Sequence, residues 1–400
     1  MRNSTALIIG GGVIGLSTAY HLAKKKFGHI IILEKGAIGD GASSRAGGII
    51  TDLLWTKAGV EARKISLELY ADLSRELEPF GYQFQDVGCL NLFSPNDWPE
   101  REALLPLYDD LDVPYEILDA EAMHHRWPDL TPAKTDIGLH DPLGGYSEPH
   151  HYLPALSNRL HDLGVDFREG QMMTDFLIKN GHIRGVKTTA GDIEADVVIC
   201  TAHVWTNRLF ERLDWALPMK AFVHQRYVST ALPAPLNIPA TNANPYLGYI
   251  RPADGNRILA GAETPERTEF EVLAIDYEMA GLTVPSAVPA NLETTLTALV
   301  PKLADTTWET EKIGLLSFSS DMEPILGPID RFPGLYIGSA FHSGGFAYNP
   351  VAGLLLAEYV ADGQTSINVD GFSPMRFSKA ETQQHLAATI AQKDVGRRRH

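Results

Sequence analysis

The stretch from Ala6 to Glu34 constrains the fold more than any other part of the chain. Its first four residues are apolar and have the length of a buried parallel strand. They lead into GGGVIG at 10–15, which fits the pattern G-x-G-x-x-G, and apolar residues then recur at helical spacing. A second apolar run, at 29–33, ends in Glu34. This order of strand, glycine-rich turn, helix and acid-terminated strand predicts a βαβ unit that binds a dinucleotide.

Each position of this motif has a physical role. Gly10 permits the tight turn, Gly12 lets the backbone approach a pyrophosphate, and Gly15 lets the helix pack on the strand. The helix that begins near Val13 offers free N–H groups to phosphates. Glu34 can accept a hydrogen bond from a ribose hydroxyl and disfavours a 2′-phosphate, so NADP is not expected. The alternative is a βαβ unit whose turn is glycine-rich without a ligand, and the motif alone does not separate FAD from NAD.

The composition narrows the class of partner. The chain has 400 residues, enough for two or three domains, and a formal net charge of −16, which argues against nucleic acid and anionic membranes. Cys89 and Cys200 are too far apart for metal spacing, and two cysteines exclude a disulfide framework, so we expect no metal and a reducing, cytoplasmic compartment. No apolar run has transmembrane length, and the first strand begins too early to leave room for a cleavable signal.

The rest of the chain alternates between helical and extended patterns. We predict helices at 60–77, 96–111, 120–127, 149–163, 270–282, 290–303 and 351–360. Asn349 and Pro350 have the residue types of an N-cap and a first helical position for the last of these. Buried or alternating strands are predicted at 84–93, 137–146, 165–167, 176–188, 195–200 and 335–338, with short antiparallel strands across 218–261. The small residues of 36–51 indicate a loop lying against a flat ligand, or else a flexible surface loop.

Four sequence blocks together resemble a known family. They are the opening βαβ with Glu34, GASSRAGGII at 41–50, ADVVICTAHVW at 195–205, and DMEPILGP at 321–328 followed by LYIGSAFHSGGFAYNPVAGLLLAEYV at 335–360. The chain resembles the D-amino-acid-oxidase superfamily of FAD-dependent oxidoreductases, in the branch of glycine oxidase, sarcosine oxidase and dimethylglycine dehydrogenase. The resemblance implies an α/β fold (α+β overall), with a Rossmann-like FAD-binding domain built from discontinuous segments and an antiparallel-sheet substrate domain. The implied divisions are 1–83, 147–217 and 315–377 for FAD, 84–146 and 218–314 for substrate, and 378–400 as a C-terminal helix and tail.

The resemblance also assigns cofactor contacts along the chain. The ADP half would be held by Gly10, Gly12, Val13, Ile14, Gly15, Glu34, Lys35 and the backbone near Met173. The pyrophosphate and flavin would lie beside Ser43, Ser44, Arg45, Ala46, Gly47 and Gly48, under Thr201, Ala202 and Trp205. The pyrimidine edge would meet His342, Ser343, Gly344, Gly345, Phe346 and Ala347, and the dipole of the following helix could stabilise negative charge on the reduced ring. FAD should be noncovalent, because Arg45 replaces the attached histidine of dimethylglycine dehydrogenases and the C-terminal third has no cysteine.

The implied reaction is oxidation of a C–N bond in a small amine or amino acid (D-, N-methyl or cyclic) to an imine, with hydride transfer to flavin N5. Tyr249 and Arg251 alternate on one strand face, where they could clamp a carboxylate or simply face solvent. The other substrate-side candidates are His342 and Tyr348, which flank the flavin loop, and His224 and Arg226, which share another strand face.

Two departures from the family put the substrate in question. Leu316 stands where glycine oxidases carry a carboxylate-binding Arg, and Ala347 stands where monomeric sarcosine oxidases carry a Lys. One alternative is therefore an FAD-dependent dehydrogenase of a hydroxy acid or alcohol, with His342 as the base that takes the hydroxyl proton. Others are an FAD-bearing subunit of a larger dehydrogenase complex and an NAD enzyme. The partner is a small molecule in the main hypothesis, and the oligomeric state stays open.

Overall fold

The computed structural model describes residues 4–262, 269–283, 287–304 and 306–389. The strands are β1 (Ser4–Ile9), β2 (Gly28–Leu33), β3 (Ile49–Ile50), β4 (Cys89–Phe93), β5 (Glu116–Leu118), β6 (Ile137–Asp141), β7 (Gly145–Tyr146), β8 (Asp166–Arg168), β9 (Met173–Lys179), β10 (His182–Thr188), β11 (Gly191–Glu194), β12 (Val197–Cys200), β13 (Met219–Ser229), β14 (Ala240–Ala243), β15 (Gly248–Ala253), β16 (Arg257–Ala262), β17 (Glu269–Phe270), β18 (Trp308–Ser319), β19 (Ile325–Pro328) and β20 (Leu335–Ser339).

The helices alternate with these strands. They are α1 (Val13–Lys24), α2 (Lys57–Leu77), α3 (Trp98–Glu102), α4 (Leu105–Asp110), α5 (Ala120–Arg126), α6 (Pro149–Asp162), α7 (Thr206–Phe210), α8 (Ala287–Leu299), α9 (Gly345–Asp362) and α10 (Lys379–Ala387). Within the described residues, every helix is too short or too polar to cross a lipid bilayer.

The first sheet has the strand order β19-β20-β12-β1-β2-β8 and is parallel except for its edge pair β19–β20. Alternate residues of β1 point to opposite faces, as the period of two requires. Ala6 and Ile8 join the core that includes α1 and α9, whereas Leu7 and Ile9 pack with residues of β9, β10 and β11. Burial on both faces explains why this strand is apolar throughout, and the sheet confirms the predicted Rossmann-like element built from distant segments.

The second sheet forms the wall opposite the glycine turn. Within the described residues it has nine strands, in the order β17-β13-β16-β15-β14-β4-β6-β5, with β18 also paired to β13. The predicted antiparallel arrangement holds except between β14 and β4, which run parallel. β18 crosses the predicted boundary at 314/315, because Leu315 to Ser319 continue the ladder with Val223 to Met219.

Three predicted helices differ from the structure. The helix predicted at 96–111 is divided into α3 and α4. Residues 270–282 are not one helix: they form the end of β17, an irregular segment and a single 3₁₀ turn at Met279–Gly281. The apolar residues that predicted a helix here belong to an extended segment whose neighbouring side chains differ in burial: Val272 is buried, whereas the adjacent Leu273 is 74% exposed.

The last long helix begins at Gly345, not at Pro350, and its N-cap is Gly344 instead of Asn349. Pro350 has no N–H for the carbonyl of Phe346, four residues earlier. That carbonyl instead accepts hydrogen bonds from Asn349 Nδ2 at 2.6 Å and from Tyr70 Oη at 2.7 Å. The proline is therefore tolerated inside the helix, and the helix N-terminus lies within the predicted flavin loop.

Candidate functional site

A cavity of about 540 Å³ is lined by residues of both sheets. Most residues predicted to contact the cofactor line this cavity. They are Gly10, Gly12, Val13, Ile14, Glu34, Lys35, Ser43, Arg45, Ala46, Gly47, Gly48, Met173, Thr201, Ala202, Trp205, His342, Ser343, Gly345 and Phe346. Gly15, Ser44, Gly344 and Ala347 are not among the lining residues. The fold thus brings segments more than 300 residues apart to one space.

The glycine turn has the close approaches that its sequence predicts. Gly10 has a φ of +105°, and a Cβ there would lie 2.8 Å from the carbonyl oxygen of Thr201. A Cβ on Gly15 would lie 2.0 Å from the carbonyl oxygen of Gly10, so this glycine serves helix–strand packing instead of ligand contact. A Cβ on Gly12 would meet only Ser43 Oγ, at 3.0 Å. Gly12 is therefore the position where the backbone borders open cavity.

The small-residue loop lies against the N-terminus of α1. Ser43 Oγ accepts a hydrogen bond from the N–H of Val13 at 3.0 Å. Further along, a Cβ on Gly47 would lie 2.9 Å from the Tyr249 ring, and one on Gly48 would lie 2.1 Å from the carbonyl oxygen of Ser147. The loop needs its small residues because it is enclosed on both sides.

The end of the cavity near Glu34 is covered by residues 275–278, which we call the strap. Glu34 accepts hydrogen bonds from the backbone N–H groups of Gly11 and Gly36, at 2.8 and 2.9 Å. Lys35 Nζ donates to the carbonyl oxygens of Ile275, at 3.1 Å, and Tyr277, and it lies 4.1 Å from the Trp205 ring centroid. Burial lowers the pKa of Lys35.

Trp205 also holds the strap, because its Nε1 donates to the carbonyl oxygen of Tyr277 at 3.1 Å. Sequence reasoning missed the strap as a cavity element since it assigned these residues to a helix. The two cavity residues that hold it, Lys35 and Trp205, were both predicted to contact the cofactor.

The opposite end of the cavity contains the turn at His342. The N–H of His342 donates to the carbonyl oxygen of Ser317 at 3.0 Å, and its ring stacks on Phe318 with centroids 5.2 Å apart. Ala340 and His342 have φ values of 55° and 53°, in the left-handed region that side chains with a Cβ avoid. Such residues cluster at functional sites. Because α9 starts three residues later, its unpaired N–H groups lie at this turn.

Tyr249 and His224 form a polar pair in the lining of the same cavity. Tyr249 Oη lies 3.1 Å from His224 Nε2, and the Tyr249 ring is in close contact with Gly47 and Gly261. Asn242 also lines the cavity and donates through Nδ2 to Asn91 Oδ1 at 2.8 Å. Sequence reasoning missed Asn242, because its short strand carries no motif.

The structure places Arg251, Arg226 and Tyr348 away from the cavity lining. Arg251 is fully buried, binds both carboxylate oxygens of Glu148 at 2.7 and 2.9 Å, and donates through Nε to the carbonyl oxygen of Gly47 at 2.6 Å. The hypothesis that Arg251 clamps a substrate carboxylate is therefore corrected, since Glu148 already occupies the guanidinium.

The two other candidates have internal partners of the same kind. Arg226 Nη2 donates to the carbonyl oxygen of Ser44 at 3.0 Å. Tyr348 is buried beneath the guanidinium of Arg63, at 4.0 Å. Both side chains thus pack behind the cavity wall.

A pair of buried acids lies at the end of the small-residue loop: Asp52, which directly follows the loop, and Asp141, the last residue of β6. Asp141 Oδ2 accepts from Thr51 Oγ1 at 2.8 Å and from the N–H of Asp52 at 3.2 Å. Burial, together with the nearby charge of Asp141, raises the pKa of Asp52 to about 8. Burial also raises the pKa of Asp141. Asp52 is therefore expected to carry a proton at neutral pH.

The residues present fit FAD. Gly12 and the N-terminus of α1 provide a backbone approach for a pyrophosphate, and Glu34 provides acceptors for a ribose. At the far end, the His342 turn and the N-terminus of α9 can face a planar ring that gains negative charge. The two ends belong to one cavity, as a long dinucleotide requires.

Comparison with known proteins agrees with this geometry. The family model described as FAD dependent oxidoreductase (DAO) matches residues 5–359. Sarcosine oxidase subunit beta of Arthrobacter sp is 28% identical over 409 residues, with 98% of this chain and 95% of that protein covered.

Two further comparisons extend this match. The 4-methylaminobutanoate oxidase (formaldehyde-forming) of Paenarthrobacter nicotinovorans is 25% identical over 396 residues, covering 98% of this chain but only 48% of that protein. The chain therefore spans about half the length of that relative. The crystal structure of glycine oxidase from Geobacillus kaustophilus has the same fold, with a TM-score of 0.83 and 24% identity, covering 94% of this chain and all of the other. With a family model that matches most of its length and a cavity that fits the cofactor, the chain belongs to the FAD dependent oxidoreductase family.

Proposed function

We propose that the protein oxidises the C–N bond of a small amine or amino acid to an imine. The single observation that carries the proposal is that the glycine turn, the His342 turn and the polar pair of Tyr249 and His224 all line one cavity. FAD, when bound, supplies the acceptor for the hydride that leaves the carbon next to nitrogen.

Side chains of the cavity lining can bind and orient such a substrate. Tyr249 and His224 offer a hydroxyl and an imidazole within 3.1 Å of each other, and Asn242 adds a carboxamide. Leu316 and Phe341 contribute apolar wall, which excludes water from the reacting carbon. Leu316 is apolar and Arg251 is paired to Glu148. The arginine that does line the cavity, Arg45, donates to Asp40 and to the carbonyl oxygen of Gly41. We therefore infer a substrate held by neutral hydrogen-bonding groups instead of by an arginine.

His342 can orient the substrate, or can take a proton if the substrate is an alcohol. Oxidation of an amine that reacts through its lone pair needs no strong base at this position, whereas oxidation of an alcohol needs one. This difference separates the proposal from the alternative of a hydroxy-acid or alcohol dehydrogenase.

The test is anaerobic reduction of the bound flavin by a panel of N-methyl, D- and cyclic amino acids, simple amines and hydroxy acids. The proposal expects bleaching by at least one C–N substrate, and expects His342→Ala to slow it by less than about 100-fold. Bleaching by hydroxy acids alone, abolished in His342→Ala, would replace the proposal with the alcohol alternative. His29→Ala serves as the control, because the His29 side chain is 51% exposed and is not part of the cavity lining.

A second candidate is an FAD-bearing subunit of a larger enzyme, favoured by the relative that is named as a subunit. Size-exclusion chromatography with light scattering of the protein expressed at its natural level distinguishes the two. A single chain or homo-oligomer that turns over a C–N substrate supports the main proposal.

We also propose a cytoplasmic location, because both cysteines, Cys89 and Cys200, are buried and form no disulfide.

A further inference from the structure

Three metal-ligating side chains meet outside the cavity, where the start of α6 approaches the turn between β15 and β16. His150 Nε2 and His151 Nε2 lie 3.0 and 2.5 Å from the same oxygen, Oδ2 of Asp254. The two imidazole rings are 4.3 Å apart, and one ligand atom from each residue lies within 4.8 Å of the others. The side chains of His150, His151 and Asp254 are 60%, 46% and 50% exposed, so an ion can reach them from solvent.

We propose that His150, His151 and Asp254 bind a divalent transition metal ion, for which Zn²⁺ is the best match. Two imidazole nitrogens and one carboxylate oxygen are a donor set that Zn²⁺ accepts, with the fourth position left to water. Consecutive residues of an α-helix point about 100° apart, so helix geometry alone does not bring adjacent histidines onto one carboxylate. The two rings nevertheless meet at one oxygen of Asp254, so three possible ligand atoms lie within 4.8 Å of one another.

A second carboxylate supports the assignment. The other ring nitrogen of His150, Nδ1, faces Glu148 Oε2 at 3.6 Å. Glu148 is buried and held in place by Arg251. Metal-binding histidines typically direct their second nitrogen to a carboxylate, which fixes the ring orientation and raises its basicity. His150 thus directs Nε2 to Asp254 and Nδ1 to Glu148.

The position indicates a structural role for the ion. It would join the start of α6, which follows the buried Glu148, to the second sheet through the β15–β16 turn. The Arg251–Glu148 ion pair beneath it also holds the carbonyl of Gly47 in the cavity loop. The ion would stabilise the flavin-loaded protein without touching the reacting groups.

The test is calorimetric titration of Zn²⁺ alone into flavin-loaded protein, purified without a polyhistidine tag and treated with a chelator. The proposal expects one ion per chain and a rise in Tm, with binding weakened at least about tenfold in His151→Ala and in Asp254→Asn. His29→Ala is the matched control, because His29 has a single carboxylate partner, Asp166, at 3.7 Å. It should bind Zn²⁺ like the parent protein.

Flavin absorbance and the Tm without metal show whether each variant is folded. Absence of one-to-one binding by the parent protein would overturn the proposal. Equal weakening by His29→Ala and His151→Ala would overturn it too, because it would indicate nonspecific surface histidines. Replacement by Co²⁺ gives an independent readout: absorption bands of a tetrahedral ion should be present in the parent protein and absent in Asp254→Asn.

Discussion

Replacing Arg251 by Met should destabilise the protein strongly, although Arg251 lies outside the cavity. Its guanidinium makes two hydrogen bonds to Glu148, at 2.7 and 2.9 Å, and both side chains are at most 6% exposed. Removing one partner leaves the other charge buried and unpaired, which costs about 3–5 kcal/mol. The Nε bond to the carbonyl oxygen of Gly47 is lost as well, so the cavity loop should loosen and FAD should bind more weakly.

Urea unfolding of the flavin-loaded protein, followed by tryptophan fluorescence and flavin release, measures this loss. The double variant Arg251→Met with Glu148→Met should recover at least about 2 kcal/mol, because no charge then stays buried. Arg257→Met is the control: Arg257 pairs with Glu309 at 3.2 Å on the surface, and its loss should cost less than about 1 kcal/mol.

Two results would refute this reasoning. One is a loss below about 1 kcal/mol in Arg251→Met, and the other is a double variant no more stable than the single variant. A raised KM for carboxylated substrates, with stability unchanged, would instead restore Arg251 as a substrate clamp.

Three further predictions concern the cofactor and the buried acids. Gly12→Ala should fold but purify with little flavin, and fluorescence quenching should show its FAD Kd raised about tenfold or more. Gly15→Ala should instead reduce the yield of soluble protein, because the added Cβ would collide with the backbone of Gly10. Asp52→Asn should be more stable than the parent at pH 7, by about 1–4 kcal/mol in urea unfolding. A pKa raised to about 8 means that the folded state holds a proton the unfolded chain has released, so the parent should lose more stability than the variant as pH rises from 4 to 8. Lys35→Met should speed FAD release severalfold in stopped-flow displacement, and an unchanged rate would contradict the role assigned to the strap.

Much of the architecture could be predicted from sequence because its signals are local. The G-x-G-x-x-G turn, the apolar strands and the small-residue loop each report a backbone requirement in consecutive residues. Family, cofactor and fold followed from these blocks and are confirmed. The roles assigned to individual cavity residues stay predictions.

The misplaced residues depend on partners that are distant in sequence. The alternation of side chains along a strand predicted that Tyr249 and Arg251 share one strand face. It could not reveal Glu148, 103 positions away, whose ion pair keeps Arg251 out of the cavity. Asn349 and Pro350 have the residue types of a helix start. Only the bonds from Asn349 and Tyr70 to the carbonyl of Phe346 show why the helix begins earlier.

The strap has a consequence for the order in which the protein assembles. Residues 275–278 come to the cavity from the second sheet, yet Lys35 and Trp205 hold them from the first. With these bonds formed, the strap lines the cavity together with Glu34 and Lys35, which are predicted to contact the ADP half of the cofactor. FAD should therefore bind most readily before these bonds form, and folded protein should exchange its flavin faster when this segment detaches.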